Sequence, residues 1–264
     1  TRWLVWGSFS FQPAELLKIT FILYVAAWFA GKTKRGESMI SRGLAPFLIV
    51  SAITAGLLLM QPATSTVAIL LIAGFAIYWI SGASVKSILG ISLIGIALLT
   101  LLVLVTPYRL QRITSYLNPT ADNQGANYHS RQARIAIGSG KLTGQGYGQS
   151  TSKVNRIPAV IDDSVFAVVA QELGFLGSLA LLGLFGTLVF RLFLLALQIR
   201  DHFGRSILVG FGTILAIQSI VNIGAISGIL PLTGVPLPFI SYGGTAFAVF
   251  LTMMGISLNV SRGA

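Results

Sequence analysis

Seven apolar stretches punctuate the chain, near residues 13–30, 44–60, 64–82, 87–106, 164–190, 206–230 and 239–260, and all but the first and fifth are free of Asp, Glu, Lys and Arg. Each is close to the roughly 20 residues, within a range of about 17 to 25, that a helix needs to cross a hydrocarbon core. The alternation expected of a barrel strand is missing. A helical bundle follows, because lipid offers no partner for an unpaired backbone group. The pattern predicts an all-α polytopic membrane protein of about seven transmembrane helices. Residues 1–264 read as a single transmembrane domain, with one large loop at 107–163.

Composition agrees with the pattern. The chain is 54% hydrophobic and 9% charged, whereas the surface of a water-soluble globule of this size needs more charge. Charge then orients the bundle. Lys32, Lys34, Arg35, Arg42, Lys86, Arg191, Arg200, Arg205 and Arg262 all fall in connections or a tail on one side, which the positive-inside rule makes cytoplasmic. Connections 61–63 and 231–238 have no Lys or Arg, and the leading segment 1–12 has only Arg2. That side is external, and 107–163 belongs to it.

This loop is nevertheless basic: Arg109, Arg112, Arg131, Arg134, Lys141, Lys153 and Arg156 stand against Asp122, Asp162 and Asp163. A loop this long crosses a membrane despite its charge. Two readings of the excess remain open. One is contact with anionic lipid headgroups. The other is an anionic ligand, most economically a phosphate, which Arg grips bidentately and Lys meets as a point charge. The run "GSGKLTGQGYGQSTSK" in the same loop lets backbone N–H groups approach a ligand. Its spacing fits no nucleotide fingerprint, so it points weakly to substrate contact, and no nucleic-acid partner is expected. Cysteine is absent, which removes disulfides, thiolate metal sites and thiol nucleophiles.

Three further segments carry candidate chemistry. In "RIPAVIDDSVFAVVAQELGF", Asp162 and Asp163 precede the fifth apolar stretch. One aspartate suffices to cap a helix, which leaves the second to accept a proton from a substrate hydroxyl. An adjacent like charge and partial burial both favour the protonated form, as a general base near neutral pH requires. Glu172, about 13 Å further along an unbroken helix at 1.5 Å per residue, is intramembrane and should face the bundle interior with a partner. "SFSFQPAELLKITF" opens the first helix with Pro13 and sets Glu15 and Lys18 three apart on one face. They read either as an interfacial pair with Lys18 reaching up to water or as lining for the cavity that Asp163 serves. "GILPLTGVPLPFISYGG" gathers Pro231, Pro236 and Pro238 with Ser241. Irregular backbone of this kind is tolerated only where protein or a water-filled cavity covers it, so it reads as a cavity wall.

Taken in order, these segments resemble the SEDS (shape, elongation, division and sporulation) family, of the FtsW and RodA type. "FQPAELLK" is similar to the family's FQPSE-type helix start and "YRLQRITSYLNP" to its loop entry. "IDDSVFAVVAQELGFLG" is similar to its TDFIFAVIxEELG-type segment, and "GILPLTGVPLPFISYGG" to its outer turn. The resemblance implies ten helices in the intact protein, so that three precede this chain. It also implies an inverting glycosyltransferase that polymerises lipid II into peptidoglycan strands outside the bacterial cytoplasmic (inner) membrane. Catalytic Asp163 would deprotonate the acceptor 4-hydroxyl. Lys18, Glu15, Arg109, Arg112, Lys153, Glu172 and Ser241 would bind lipid II and undecaprenyl pyrophosphate. "YRLQR" leans toward the division type, with a class B penicillin-binding transpeptidase and other divisome or elongasome proteins as partners. "QPATSTV" departs from the family's QPDLGT, with Ala63 in place of the acid, and Gln171 replaces the first of two glutamates. A divalent cation, Mg or Mn, at the pyrophosphate is compatible with the resemblance but is not required by these residues. The competing functions are a lipid II flippase, which would favour midplane charges and an internal repeat, and a noncatalytic scaffold for division.

Overall fold

A computed structural model of the chain describes residues 4–6, 9–34, 44–61, 63–117, 126–150 and 164–263. A short antiparallel hairpin opens them, β1 (Leu4–Trp6) paired with β2 (Phe9–Phe11). The helices are α1 (Pro13–Lys34), α2 (Leu44–Met60), α3 (Thr64–Ile80), α4 (Val85–Val105), α5 (Pro107–Leu117), α6 (Ala126–Ser139), α7 (Val165–Gln198), α8 (His202–Ser227) and α9 (Gly244–Ser261). Five of them, α1, α4, α7, α8 and α9, are long and apolar enough to cross a membrane, and α2 and α3 are apolar helices of 17 residues. The chain is an all-α polytopic membrane protein, and each of the seven apolar stretches is a helix. Two details differ. α7 continues to Gln198, so Arg191 sits on a helix and not in a connection. The stretch 107–163 contains α5 and α6, short helices whose mixed polarity hides them from a search for apolar runs.

The chain divides into two compact units, the first made of Thr1–Leu89, Gly186–Ile217 and Gly243–Ala264. Its framework begins at Pro13, whose fixed φ and missing N–H suit a first helical turn. α1 packs on α3 and α9, and α2 packs on α3. Phe29, Phe47 and Tyr78 meet at ring centroid separations of 5.6 to 5.7 Å, with Phe47 and Tyr78 stacked. Gly74 lets α3 come this close, since a Cβ there would lie 2.9 Å from the Phe21 ring and 3.1 Å from that of Phe47. With no hydrophobic drive between helices in lipid, such small-residue contacts and dispersion do the holding.

The second unit comprises Gly90–Phe185 and Gln218–Tyr242. In it α7 is broken at Gly174, where φ is 68° and ψ is −163°. A break frees backbone groups that lipid would leave unsatisfied. Here the glycine-rich segment supplies their partners. Gln145 and Gly146 N–H donate to the carbonyls of Gln171 and Glu172 at 3.0 and 3.1 Å, and Phe175 and Leu176 N–H donate to those of Lys141 and Leu142 at 2.9 and 3.1 Å. The approach is close enough that a Cβ on Gly140 would overlap the Ala170 carbonyl, and one on Gly144 would overlap that of Glu172. Gln171 adds a side-chain joint, accepting from Ser150 Oγ at 2.7 Å and donating to Gln145 Oε1 at 3.3 Å.

The proline-rich turn after α8 is held by its carbonyls. Asn222 Nδ2 donates to Val235 O at 2.7 Å and Gln218 Nε2 to Pro236 O at 2.9 Å, one helical turn apart on α8. From α5, Arg112 Nη1 reaches Leu232 O at 2.8 Å and Tyr116 Oη reaches Ile229 O at 2.7 Å. The Arg134 stem of α6 lies against Gly228. Irregular backbone is thus covered by protein, as its depth requires.

The glycine-rich splint gives a direct comparison. Gly144 and Gly148 both have positive φ, +83° and +78°, but among the described residues only Gly144 meets a neighbour within 4 Å. Gly148→Ala should cost about 1 to 2 kcal/mol for the left-handed backbone alone. Gly144→Ala carries that strain plus the clash and should lower the unfolding temperature in detergent clearly further. Equal shifts for the two variants would show that the splint is not tightly packed.

Candidate functional site

In the first unit the candidate site is built on α1. The first turn places Glu15, and the three-residue spacing brings Lys18 over it. Lys18 Nζ lies 2.8 Å from both Glu15 carboxylate oxygens, a bidentate ion pair. It is fully enclosed: Glu15 is 2% and Lys18 1% exposed. Lys18 therefore does not reach up to water, and the interfacial-pair reading is set aside. The α9 side of the amine is closed by Phe250, whose ring centroid is 5.4 Å from Nζ. Burying two charges carries a desolvation cost of several kcal/mol per ion that the attraction between them offsets only when the geometry is good. An intramembrane ionisable pair is accordingly a functional feature by default.

In the second unit Arg109 stands at the start of α5, and its Nη1 donates to Thr106 Oγ1 at 2.9 Å. Arg112, expected to bind substrate, holds the Leu232 carbonyl and so orders the outer turn. Ser241 is buried, and its Oγ accepts from Leu237 N at 2.8 Å, which closes the turn before α9. Glu172 is buried as expected. It lies in the unbroken first part of α7, which begins at Val165, two residues before the break at Gly174. Of the glycines expected to meet substrate, Gly140 and Gly144 have another use, close packing on α7. Asp162, the candidate base Asp163, Lys153 and Arg156 lie outside the described residues.

The structure adds residues that the motifs did not single out. Phe250, Tyr116, Gln145 and Ser150 each touch a candidate residue or the segment it orders. Gln218 and Asn222 had a readable signal, amides one helical turn apart in an otherwise apolar helix, where polar side chains bond across to neighbours. Among the described residues no three His, Cys, Asp or Glu side chains converge, and Glu15 gives both oxygens to Lys18.

The ion pair makes its own prediction. Glu15→Gln or Lys18→Met alone leaves one buried charge without its counter-charge and should cost about 3 to 5 kcal/mol. The double variant, which buries no charge, should recover most of that loss in thermal unfolding. Additive losses would mean that the pair is not electrostatically coupled.

Comparison with known proteins bears on what this arrangement does. A family model covering FtsW, RodA and SpoVE, described as "Cell cycle protein", matches residues 1–264. Stage V sporulation protein E of Bacillus subtilis is 37% identical over 98% of this chain and 71% of its own length. A protein named probable peptidoglycan glycosyltransferase FtsW, from Trichlorobacter lovleyi, is 34% identical over 100% of this chain and 69% of its own. Among solved structures, a chain from a study of polymerization and crosslinking by a peptidoglycan synthase complex superposes with a TM-score of 0.79. It is 30% identical and covers 99% of this chain and 73% of its own length. Thermus thermophilus Rod shape determining protein RodA gives 0.69 at 30% identity, over 99% and 69%. The residues of the helix start, the loop entry and the outer turn thus stand in a chain that belongs to the FtsW/RodA/SpoVE family.

Proposed function

We propose that this chain is a peptidoglycan glycosyltransferase that polymerises lipid II at the outer face of the bacterial cytoplasmic membrane. The observation that carries this reading is the enclosed, bidentate Glu15–Lys18 pair in a family whose members bear the name of that enzyme. In the reaction, the 4-hydroxyl oxygen of lipid II attacks the anomeric carbon at the end of the growing chain. The bond to undecaprenyl pyrophosphate breaks with inversion, and the leaving group takes the electron pair. Asp163 accepts the hydroxyl proton as the new bond forms. Fixed cations stabilise the charge that collects on the departing pyrophosphate, and Lys18, Arg109 and Lys153 are assigned that work. Glu15 orients Lys18. Arg112 and Ser241 act on substrate through the turn whose backbone they order, and Glu172 is assigned to substrate binding beside them. Its partner is a class B penicillin-binding transpeptidase, a reading supported by the likeness to a chain from a peptidoglycan synthase complex.

Two measurements test this. Purified full-length Asp163→Asn, which keeps the side-chain shape, should polymerise lipid II about 10² to 10⁴ times more slowly than wild type. A near wild-type rate would remove Asp163 as the base, and an inactive wild type would favour a scaffold or a flippase. Separately, Arg109→Ala should weaken lipid II binding roughly tenfold or more, as loss of a charge-assisted contact does, with the protein still folded by thermal unfolding in detergent. Unaltered affinity would make Arg109 a helix-start residue only.

A further inference from the structure

We propose that Phe250 is a positioning residue for the Lys18 ammonium, acting through the charge distribution of its ring and not through its bulk. The inference rests on the assignment of Lys18 above. Glu15 and Lys18 both belong to α1, so their ion pair fixes the amine only relative to its own helix. Phe250 comes from α9, which packs on α1, and its ring centroid lies 5.4 Å from Nζ. That is within the roughly 6 Å over which a cation is drawn to an aromatic face, an attraction that grows when water is excluded. Water is excluded here, since Lys18 and Phe250 are each 1% exposed. The carboxylate and the ring therefore hold the ammonium from two helices, and its direction is set across the helix pair. The resemblance that singled out Glu15 and Lys18 says nothing of position 250.

A competing account treats Phe250 as core filling. It lies on the inward stripe of α9 with Val249, Met253 and Ser257, all buried. Such a residue would depend on volume and apolarity, which leucine nearly supplies. The two accounts separate when the ring keeps its shape and loses its electron-rich face.

The test replaces Phe250 by mono-, di- and trifluorophenylalanine in the full-length protein, reconstituted in liposomes with lipid II. Each fluorine weakens the negative face with little change in size. Polymerisation should fall stepwise, by roughly three- to tenfold across the series, while the unfolding temperature falls by no more than a few degrees. Phe250→Leu should resemble the trifluoro variant, and Phe250→Tyr should retain activity. The Glu15→Gln/Lys18→Met double variant, free of any lone buried charge, is measured alongside. A flat series beside an inactive double variant overturns the role of Phe250 and leaves the assignment of Lys18 standing. An active double variant overturns that assignment and the present proposal with it.

Discussion

Backbone satisfaction in an apolar medium is the constraint on which this structure depends. A regular helix meets it internally, but among its described residues the second unit departs from regular helix at Gly174, along the glycine-rich stretch 140–150 and along residues 228–242. Each unsatisfied group in lipid costs several kcal/mol, so such departures need partners brought from elsewhere. At Gly174 the partner is another stretch of backbone, residues 141–146. At the proline-rich turn the partners are side chains, two amides from α8 and an arginine and a tyrosine from α5. The irregular segments are therefore braced, by the glycine-rich backbone of 141–146 and by polar side chains of α5 and α8.

Charge obeys the same economy in the first unit. The enclosed carboxylate and ammonium of α1 replace water for each other. An apolar pair of similar volume would serve stability at least as well, so stability does not account for their presence. Bidentate pairing cancels the two charges, so the field this turn of α1 exerts is that of a closely spaced dipole.

Much of this was legible in the sequence, for physical reasons. Hydropathy locates helices that must satisfy themselves in lipid, and all seven apolar stretches proved helical. Pro13 marked the start of α1, and the spacing of Glu15 and Lys18 put them on one face. What stayed hidden was whatever hydropathy does not encode. The break in α7 falls inside "ELGFLG", where apolar residues continue on both sides, so only the positive φ of Gly174 reveals it. α5 and α6 are too short and too polar for an apolar-run search. The glycines of 140–146 carry the same letters whether they cradle a ligand or admit another backbone, and here Gly140 and Gly144 do the second. Asp163, the residue with the most specific chemical assignment, rests on sequence and chemistry alone.

Arg112 shows why a basic loop residue resists assignment by charge. A guanidinium offers five N–H donors in a rigid fork, and it can hold a carbonyl as readily as a phosphate. Its Nη1 holds Leu232 O, so truncation at 112 would loosen the turn that carries Ser241 even if no lipid ever touched the arginine. Loss of activity in such a variant would carry no information about binding. The bond of Arg109 to Thr106 Oγ1 is local, three residues back, so the two arginines at the loop entry do different structural work: Arg112 braces a distant turn and Arg109 the start of its own helix.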